Sequence, residues 1–238
     1  SSLIGSLLQV VKFNVDRKAS RVRVFELGRV FRKDPAVPSS DTTVEGFDQP
    51  MHVAGMAYGS AQPLQWSVKE QAVDFFDVKA DVEALLSPAQ ATFEPAEHPA
   101  LHPGRCARVL LNGQAVGIIG ELHPRWRQSW DLAHAPVVFE LQLDAVLHRA
   151  VPQAQGVARF PSVERDIAII VKENVTHAAV MSAIHAASTQ GLLRHAVLFD
   201  VYRPKAAAAG MALDEKSLAV RLTLNSEEAT LQESQIEA

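Results

Sequence analysis

The sequence has few of the features that mark secreted or membrane-bound proteins. It holds a single cysteine, Cys106, so no disulfide can form within the chain, which agrees with a reducing compartment. No apolar run approaches the ~20 residues that a membrane-spanning helix needs. The apolar start of the chain lacks the preceding basic segment and the cleavage site of a signal peptide. These absences argue against a membrane role and predict a cytoplasmic protein.

The chain also has fewer basic than acidic residues, with a formal net charge of −4. This charge argues against nonspecific binding to polyanions. The basic residues that are present are unevenly spread. The segment from Lys12 to Lys33 contains eight lysines and arginines and only two acidic residues, which gives it a local charge of +6. This patch fits a surface for nucleic acid or for an acidic protein, and it equally fits a solvated face beside a strand, which is what charge runs more often are.

The length of 238 residues fits one large or two modest domains. Residues 151–156 combine proline, glycine and glutamine, as a linker does. The sequence therefore predicts two domains, 1–152 and 153–238.

The first domain is predicted to combine helices with a largely antiparallel sheet. Leu3, Leu7 and Val11 share one face of a helix, with Ser1 or Ser2 as its cap. The other predicted elements are a strand over 21–31, an exposed loop over 35–50, a strand over 52–58, a helix over 68–86, an Asn-Gly hairpin over 106–119 and a strand over 137–143.

The second domain is predicted to have the order β-α-β-β. Strands over 166–172, 195–202 and 216–224 accompany a helix that Thr176 caps and that ends near 188. This order is three-quarters of a ferredoxin-like fold, with one face of the sheet covered and the other open. The closing helix and strand would begin near Thr230, so the domain is expected to be C-terminally incomplete. The fold class is α+β.

Several ordered segments resemble one known family. Residues 159–166, which are charged and lead into an apolar run, and residues 198–203 resemble the C-terminal anticodon-binding domain of the bacterial phenylalanyl-tRNA synthetase β subunit. The resemblance continues upstream through residues 25–31, 74–79, 102–105 and 120–124. It implies a class II synthetase-like antiparallel sheet with flanking helices and no catalytic role, followed by a truncated ferredoxin-like (βαββ) domain.

The resemblance also implies partners. The family assembles as α2β2 and joins phenylalanine to tRNA(Phe) with ATP and Mg²⁺, and the separate α subunit binds ATP and phenylalanine. This chain is therefore expected to have no active site and no cofactor of its own. In agreement, Gly113, Gly117 and Gly120 have no following arginine and fit turn and packing glycines rather than a nucleotide site.

Two sets of candidate functional residues follow from this resemblance. Aromatic side chains stack on unpaired bases and basic side chains meet phosphates, and each of these residue types is also common where no RNA binds. The predicted tRNA-binding residues are Phe160, Arg165, Tyr202, Arg203, Lys205 and Arg221. The predicted subunit-interface residues are Leu3, Leu7, Val11, Arg21 and Arg23.

Other chemistry finds little support in the spacing. His98, His102 and Cys106 recur every four residues, but the intervening prolines and glycine oppose a helix that would align them as metal ligands. Asp74 and Asp77 fit the start of a helix better than an acid and base pair. No nucleophile and base pair supports an independent hydrolase.

The alternative function is a regulatory protein whose ferredoxin-like domain binds a small ligand. That function needs a sheet face or edge that dimerises and a glycine-rich ligand loop. The corresponding loop here runs from Ala206 to Gly210 and is rich in alanine.

Overall fold

The computed structural model describes residues 1–148, 151, 159–187, 189, 191–204 and 211–236. The chain divides into two compact units, Ser1–Pro152 and Gln153–Ala238. Most of the predicted linker lies outside the described residues. In the described part of the chain, no helix is long and apolar enough to cross a membrane.

The first unit is built around a six-stranded antiparallel sheet of order β1-β4-β8-β7-β6-β5. A two-stranded ribbon, β2 with β3, accompanies it. The elements are α1 (Ile4–Asp16), β1 (Arg21–Arg29), β2 (Arg32–Lys33), β3 (Phe47–Asp48), β4 (Met51–Gly59), α2 (Phe75–Leu86), β5 (Ala91–Pro95), β6 (Leu101–Leu111), β7 (Gln114–Leu122), α3 (Pro124–Ser129), β8 (Val137–Gln142) and α4 (Leu143–Leu147).

Apolar side chains bury both faces of this sheet. The buried face of α1 packs with β1 and β4 on one side, while Val78 and Val82 of α2 pack with Val146 of α4 on the other. The central strand β8 is buried at five consecutive positions from Val137. The sequence places Phe139, Leu141 and Leu143 on one apolar side of this strand, but the strand is buried on both faces because it lies between two helical layers.

The hairpin between β6 and β7 turns at Asn112 and Gly113, as predicted. Both residues have positive φ angles, 51° and 77°. Asparagine and glycine tolerate this region best, and the resulting twist matches that of the flanking strands.

Helix α2 begins at Phe75 rather than near residue 68. Asp74 caps it: its carboxylate accepts from the Phe76 and Asp77 N–H groups, and the Asp77 carboxylate accepts from the Asp74 N–H at 2.9 Å. The preceding residues form a loop that is closed by a bridge between Ser60 and Ala72. The capping box fixes the helix start, because it satisfies N–H groups that would otherwise lack partners.

A buried polar cluster fastens the start of α1 to the sheet. The Glu140 carboxylate accepts from the Leu3 N–H at 3.0 Å, from the Ser2 hydroxyl at 2.6 Å and from the His52 Nδ1 at 2.8 Å. The Ser2 hydroxyl in turn accepts from the Ile4 N–H at 3.1 Å. Ser2 thus supports the helix start as predicted, although Leu3 occupies the N-cap position.

The second unit is a three-stranded antiparallel sheet of order β10-β11-β9. Its elements are β9 (Val163–Lys172), α5 (His177–Ala186), β10 (Leu193–Tyr202), β11 (Glu215–Leu224) and α6 (Glu233–Ile236). The Thr176 hydroxyl caps α5 by accepting from the Ala179 N–H at 3.1 Å. The two units together confirm the predicted α+β class with a ferredoxin-like second part.

One face of the second sheet is covered and holds the unit's small core. Leu218, Val220 and Leu224 of β11 are buried there, and α5 contributes the buried Val180. Side chains directly opposite each other in antiparallel strands lie on the same face. The strand register therefore assigns alternate residues of β9 and β11, with their partners on β10, to the opposite face.

Candidate functional site

The opposite face of the second sheet forms four rows of side chains, each with one residue from β10, one from β11 and one from β9. We call it the open face. The rows are His195, Thr223 and Glu164; Val197, Arg221 and Asp166; Asp200, Ala219 and Ala168; and Tyr202, Ser217 and Ile170.

The open face exposes large apolar and aromatic side chains. Phe199, Tyr202 and Ile170 are 52%, 54% and 53% exposed. Phe199 lies at a bulge in β10 between Leu198 and Asp200, where the register with β11 shifts. Three large exposed side chains grouped on one face of a sheet make this face a candidate binding surface.

Two small residues lie on the strands beside the aromatic side chains of β10. Ala219 and Ala168 occupy the middle of the face, one row from Tyr202 and one row from Arg221. Arg221 lies beside the Phe199 ring, with the guanidinium carbon 5.4 Å from the ring centroid. A flat apolar floor between larger groups can receive a planar ring, which can stack on an aromatic side chain at its margin.

The charge of the open face is negative. The Arg221 guanidinium donates two hydrogen bonds of 2.8 Å to the Asp166 carboxylate, and Glu164 lies 3.4 Å away. This pairing holds the pKa of Asp166 below its ordinary value and raises the pKa of Arg221. The four rows carry three carboxylates and one arginine, so their formal charge is −2.

Arg165 is not on the open face. It lies opposite Leu222 in the register, so its side chain belongs to the covered face, where it pairs with Glu233 at 2.8 Å. The sequence placed Arg165 with Tyr202 and Arg221 as one RNA-binding group, and the register corrects that grouping. Side chains along a strand alternate between the two faces of the sheet, so the odd-numbered residues of β9 lie on the covered face and the even-numbered ones on the open face.

The other predicted RNA-binding residues lie at the margins. Arg203 follows β10 and forms a two-pronged pair with the Glu173 carboxylate, at 2.9 and 3.1 Å. Phe160 is half-buried, and its carbonyl accepts from the Asn225 side-chain amide at 2.8 Å. Lys205 lies outside the described residues.

The predicted subunit-interface residues separate into two groups. Leu3, Leu7 and Val11 are buried in the core of the first unit, so the structure corrects their prediction as contacts with another subunit. Arg21 and Arg23 lie on β1 at the edge of the sheet, and Arg23 pairs with Asp81 of α2.

Within the described ranges, His98, His102 and Cys106 form no cluster with metal-ligand geometry. Burial raises the pKa of the Cys106 thiol and lowers that of His98. Both shifts favour the neutral form of the side chain, which is consistent with a role in packing.

Sequence reasoning missed Phe199, Ile170 and the two alanines of the floor. The alternation of β11 in the sequence does place Ala219 opposite the core residues, although not as a site residue, and the alternation of β9 could have placed Ile170 and Ala168 there in the same way. Phe199 could not be placed in this way, because the bulge in β10 breaks the alternation just before Asp200.

Comparisons with known proteins agree with this architecture. Residues 1–143 match the profile described as the phenylalanyl tRNA synthetase beta chain CLM domain, and residues 158–238 match the ferredoxin-fold anticodon binding domain. The whole chain is 54% identical to the β subunit of phenylalanine–tRNA ligase from Ralstonia nicotianae and 50% identical to that from Cupriavidus pinatubonensis, over 242 residues in each case. It is 47% identical over 237 residues to the same subunit from Chromobacterium violaceum.

The chain spans about 30% of the length of these relatives, while the alignments cover all of it. The family profiles match the two structural units in order, and the resemblance read from the sequence motifs is confirmed. The chain belongs to the family of bacterial phenylalanine–tRNA ligase β subunits.

Proposed function

We propose that the second unit binds the anticodon loop of tRNA(Phe) through its open face. The observation that carries the proposal is the exposure of Phe199 and Tyr202 on the same face as Ala219 and Ala168, a face opposite the one that holds the core of the second unit's described residues. Unpaired bases in RNA loops are commonly held by stacking on aromatic side chains of open sheets. The match to an anticodon-binding domain supports the same function and does not favour the small-ligand alternative.

The charges indicate how the RNA would lie. The carboxylates of Glu164, Asp166 and Asp200 repel phosphates, and they are acceptors suited to the amino groups of bases. Arg221 is already neutralised by Asp166. The bases would therefore face the sheet while the phosphate backbone lies away from it.

In the complete ligase, this chain would serve aminoacylation without performing it. The proposed α2β2 assembly joins phenylalanine to tRNA(Phe), with ATP, Mg²⁺ and the amino acid bound by the α subunit. Arg21 and Arg23, on the exposed edge strand of the first unit, are the proposed contacts with another subunit. A cytoplasmic location stays a prediction.

The proposal is tested by filter binding of the 238-residue chain to the anticodon stem-loop of tRNA(Phe). The control RNA has the same stem closed by a loop of unrelated sequence. We expect weaker binding of the control by at least about tenfold, because a hydrogen bond from a base amino group to a carboxylate of the open face contributes roughly 1.5–3 kcal/mol and an unrelated loop does not present the same amino groups. Equal affinity for the two RNAs would contradict anticodon recognition by this chain.

Removal of the carboxylate that neutralises Arg221 is expected to strengthen RNA binding. Asp166→Asn removes one of the carboxylates that repel the RNA and leaves Arg221 paired only with Glu164 at 3.4 Å, so affinity should rise a few-fold. The slope of log affinity against log salt should steepen by about 0.7, the value for one phosphate contact with a single strand.

The matched control is Glu233→Gln, which frees Arg165 on the covered face by the same change of charge. It should alter neither the affinity nor the slope. An equal gain in both variants would show that general electrostatics, and not the open face, governs binding.

A further inference from the structure

The end row of the open face holds a histidine, His195, that is not among the predicted RNA-binding residues. We propose that His195 binds a phosphate of the tRNA when its imidazole is protonated, so that RNA binding takes up a proton and strengthens as the pH falls from 8 to 6. The inference rests on the proposed function and adds to it one further contact residue and a dependence on pH.

The strand register places His195 on the open face. His195 of β10 lies opposite Thr223 of β11, which in turn lies opposite Glu164 of β9. Side chains directly opposite each other in antiparallel strands share a face. His195 therefore belongs to the face that carries Tyr202 and Arg221, and this placement depends only on backbone pairing within the second sheet.

His195 and Tyr202 stand at opposite ends of the open face. Their rows are marked on β9 by Glu164 and Ile170, which are six residues apart and therefore separated by about 20 Å. This distance exceeds the length of a single base, so a base that stacks on Tyr202 does not reach His195. The histidine therefore meets a different nucleotide of the loop.

The arginine of the four rows is already occupied by carboxylates. The Arg221 Nε and Nη2 atoms each donate a hydrogen bond of 2.8 Å to Asp166, and the Nη1 atom lies 3.4 Å from Glu164. A phosphate has to displace these carboxylates before it can bind the guanidinium. Of the twelve residues in the four rows, His195 is the remaining one that can carry a positive charge.

The carboxylates of the open face determine where a phosphate can approach it. Asp166 and Asp200 occupy the two middle rows, where they repel phosphates. Glu164 shares the end row with His195 but lies two strands away, at a distance of about 10 Å. A phosphate that contacts His195 thus stays clear of direct contact with these three carboxylates.

The charged residues near His195 come from each strand of the sheet and from the segments at the same end of it. They are Asp200 of β10, Arg221 of β11, Glu164 and Asp166 of β9, Arg159 before β9, and Glu227 and Glu228 after β11. Carboxylates and guanidinium groups ordinarily keep their charge between pH 6 and 8, whereas histidine ordinarily changes its charge in this range. Protonation of His195 therefore changes the formal charge of the four rows from −2 to −1.

The direction of the pH dependence follows from linkage. A bound phosphate stabilises the protonated imidazole, so the complex binds more protons than the free components and affinity rises as the pH falls. An opposite charge in contact with an ionisable group changes its proton affinity by about tenfold or more. We therefore expect the 238-residue chain to bind the anticodon stem-loop about fivefold more tightly at pH 6.0 than at pH 8.0.

The test is filter binding of this stem-loop at the two pH values with three variants of the chain. His195→Gln should bind equally at both pH values, with the affinity that the original chain has at pH 8.0. His195→Lys keeps a positive charge throughout this range, so it should show at pH 8.0 the affinity that the original chain reaches at pH 6.0. The matched control is His185→Gln on α5, which packs on the covered face and should keep the fivefold difference.

The outcomes separate this inference from the proposed function. Preference for the anticodon loop over the control loop, with equal affinity at pH 6.0 and 8.0, would overturn the role of His195 and leave anticodon binding intact. A pH dependence that His195→Gln retains, or a His195→Lys variant that binds no more tightly than the original chain at pH 8.0, would overturn it as well. Absence of a preference between the two loops at either pH would contradict the proposed function and this inference together.

Discussion

Replacement of Gly59 by alanine is expected to destabilise the first unit by about 2 to 5 kcal/mol. Gly59 ends β4 with a φ of +83°, which costs an alanine roughly 1–2 kcal/mol. A Cβ atom there would also overlap the carbonyl oxygen of Ser20 and lie 2.9 Å from its carbonyl carbon. Backbone atoms cannot rotate away as a side chain can, so the strand and the neighbouring loop must shift. Overpacking of this kind adds typically 1–3 kcal/mol.

The matched control is Gly46→Ala. Gly46 has a φ of +75°, and a Cβ atom there would meet nothing within 4 Å. Urea unfolding of both variants separates the backbone cost, which they share, from the overlap, which only Gly59→Ala has. Equal losses of unfolding free energy in the two variants would contradict the packing of Ser20 against Gly59.

The double replacement of Phe199 and Tyr202 by alanine should reduce affinity for the anticodon stem-loop by roughly 100-fold. Stacking on an aromatic side chain contributes about 1–3 kcal/mol per base, and a loss of about 1.4 kcal/mol from each of two platforms sums to about 2.8 kcal/mol, which is 100-fold in affinity. Both side chains are about half exposed, so their removal should leave the fold of the second unit intact. Filter binding measures the loss, and circular dichroism checks the fold.

The control for this variant is Trp66→Ala in the first unit. Trp66 is 99% exposed and equally able to stack on a base, but it lies outside the proposed site. It should retain the original affinity. A comparable loss from Trp66→Ala, or a loss below about threefold from the double variant, would show that these two rings are not stacking platforms.

The sequence predicted the framework of the fold well because its signals were local. The Asn112-Gly113 turn, the Thr176 cap and the alternation of β11 each depend on a few neighbouring residues. The start of α2 was placed too early, because the apolar residues that precede Asp74 continue a helical spacing without forming the helix. The burial of β8 on both faces depends on packing of α1 and α2, which a strand's own pattern does not contain.

The candidate site was predicted only in part, for similar reasons. Tyr202 and Arg221 do share the open face; Tyr202 lies in the motif of residues 198–203, and Arg221 was predicted only as a basic residue of the type that meets phosphate. Arg165 was grouped with them because it is basic and close in sequence to Asp166, yet one step along a strand reverses the face. Arg203 pairs with Glu173, which is 30 positions away in the sequence, and Arg221 pairs with Asp166, which is 55 positions away. Neither pairing could be read from local spacing.

The most direct test of the open face is photocrosslinking with a photoreactive phenylalanine analogue placed at residue 202 or at residue 165. Position 202 lies on the open face and position 165 on the covered face of the same sheet. We predict that the residue 202 derivative crosslinks to bases of the anticodon loop, while the residue 165 derivative gives no crosslink to that loop. Crosslinking of the anticodon bases from residue 165 and none from residue 202 would contradict the account.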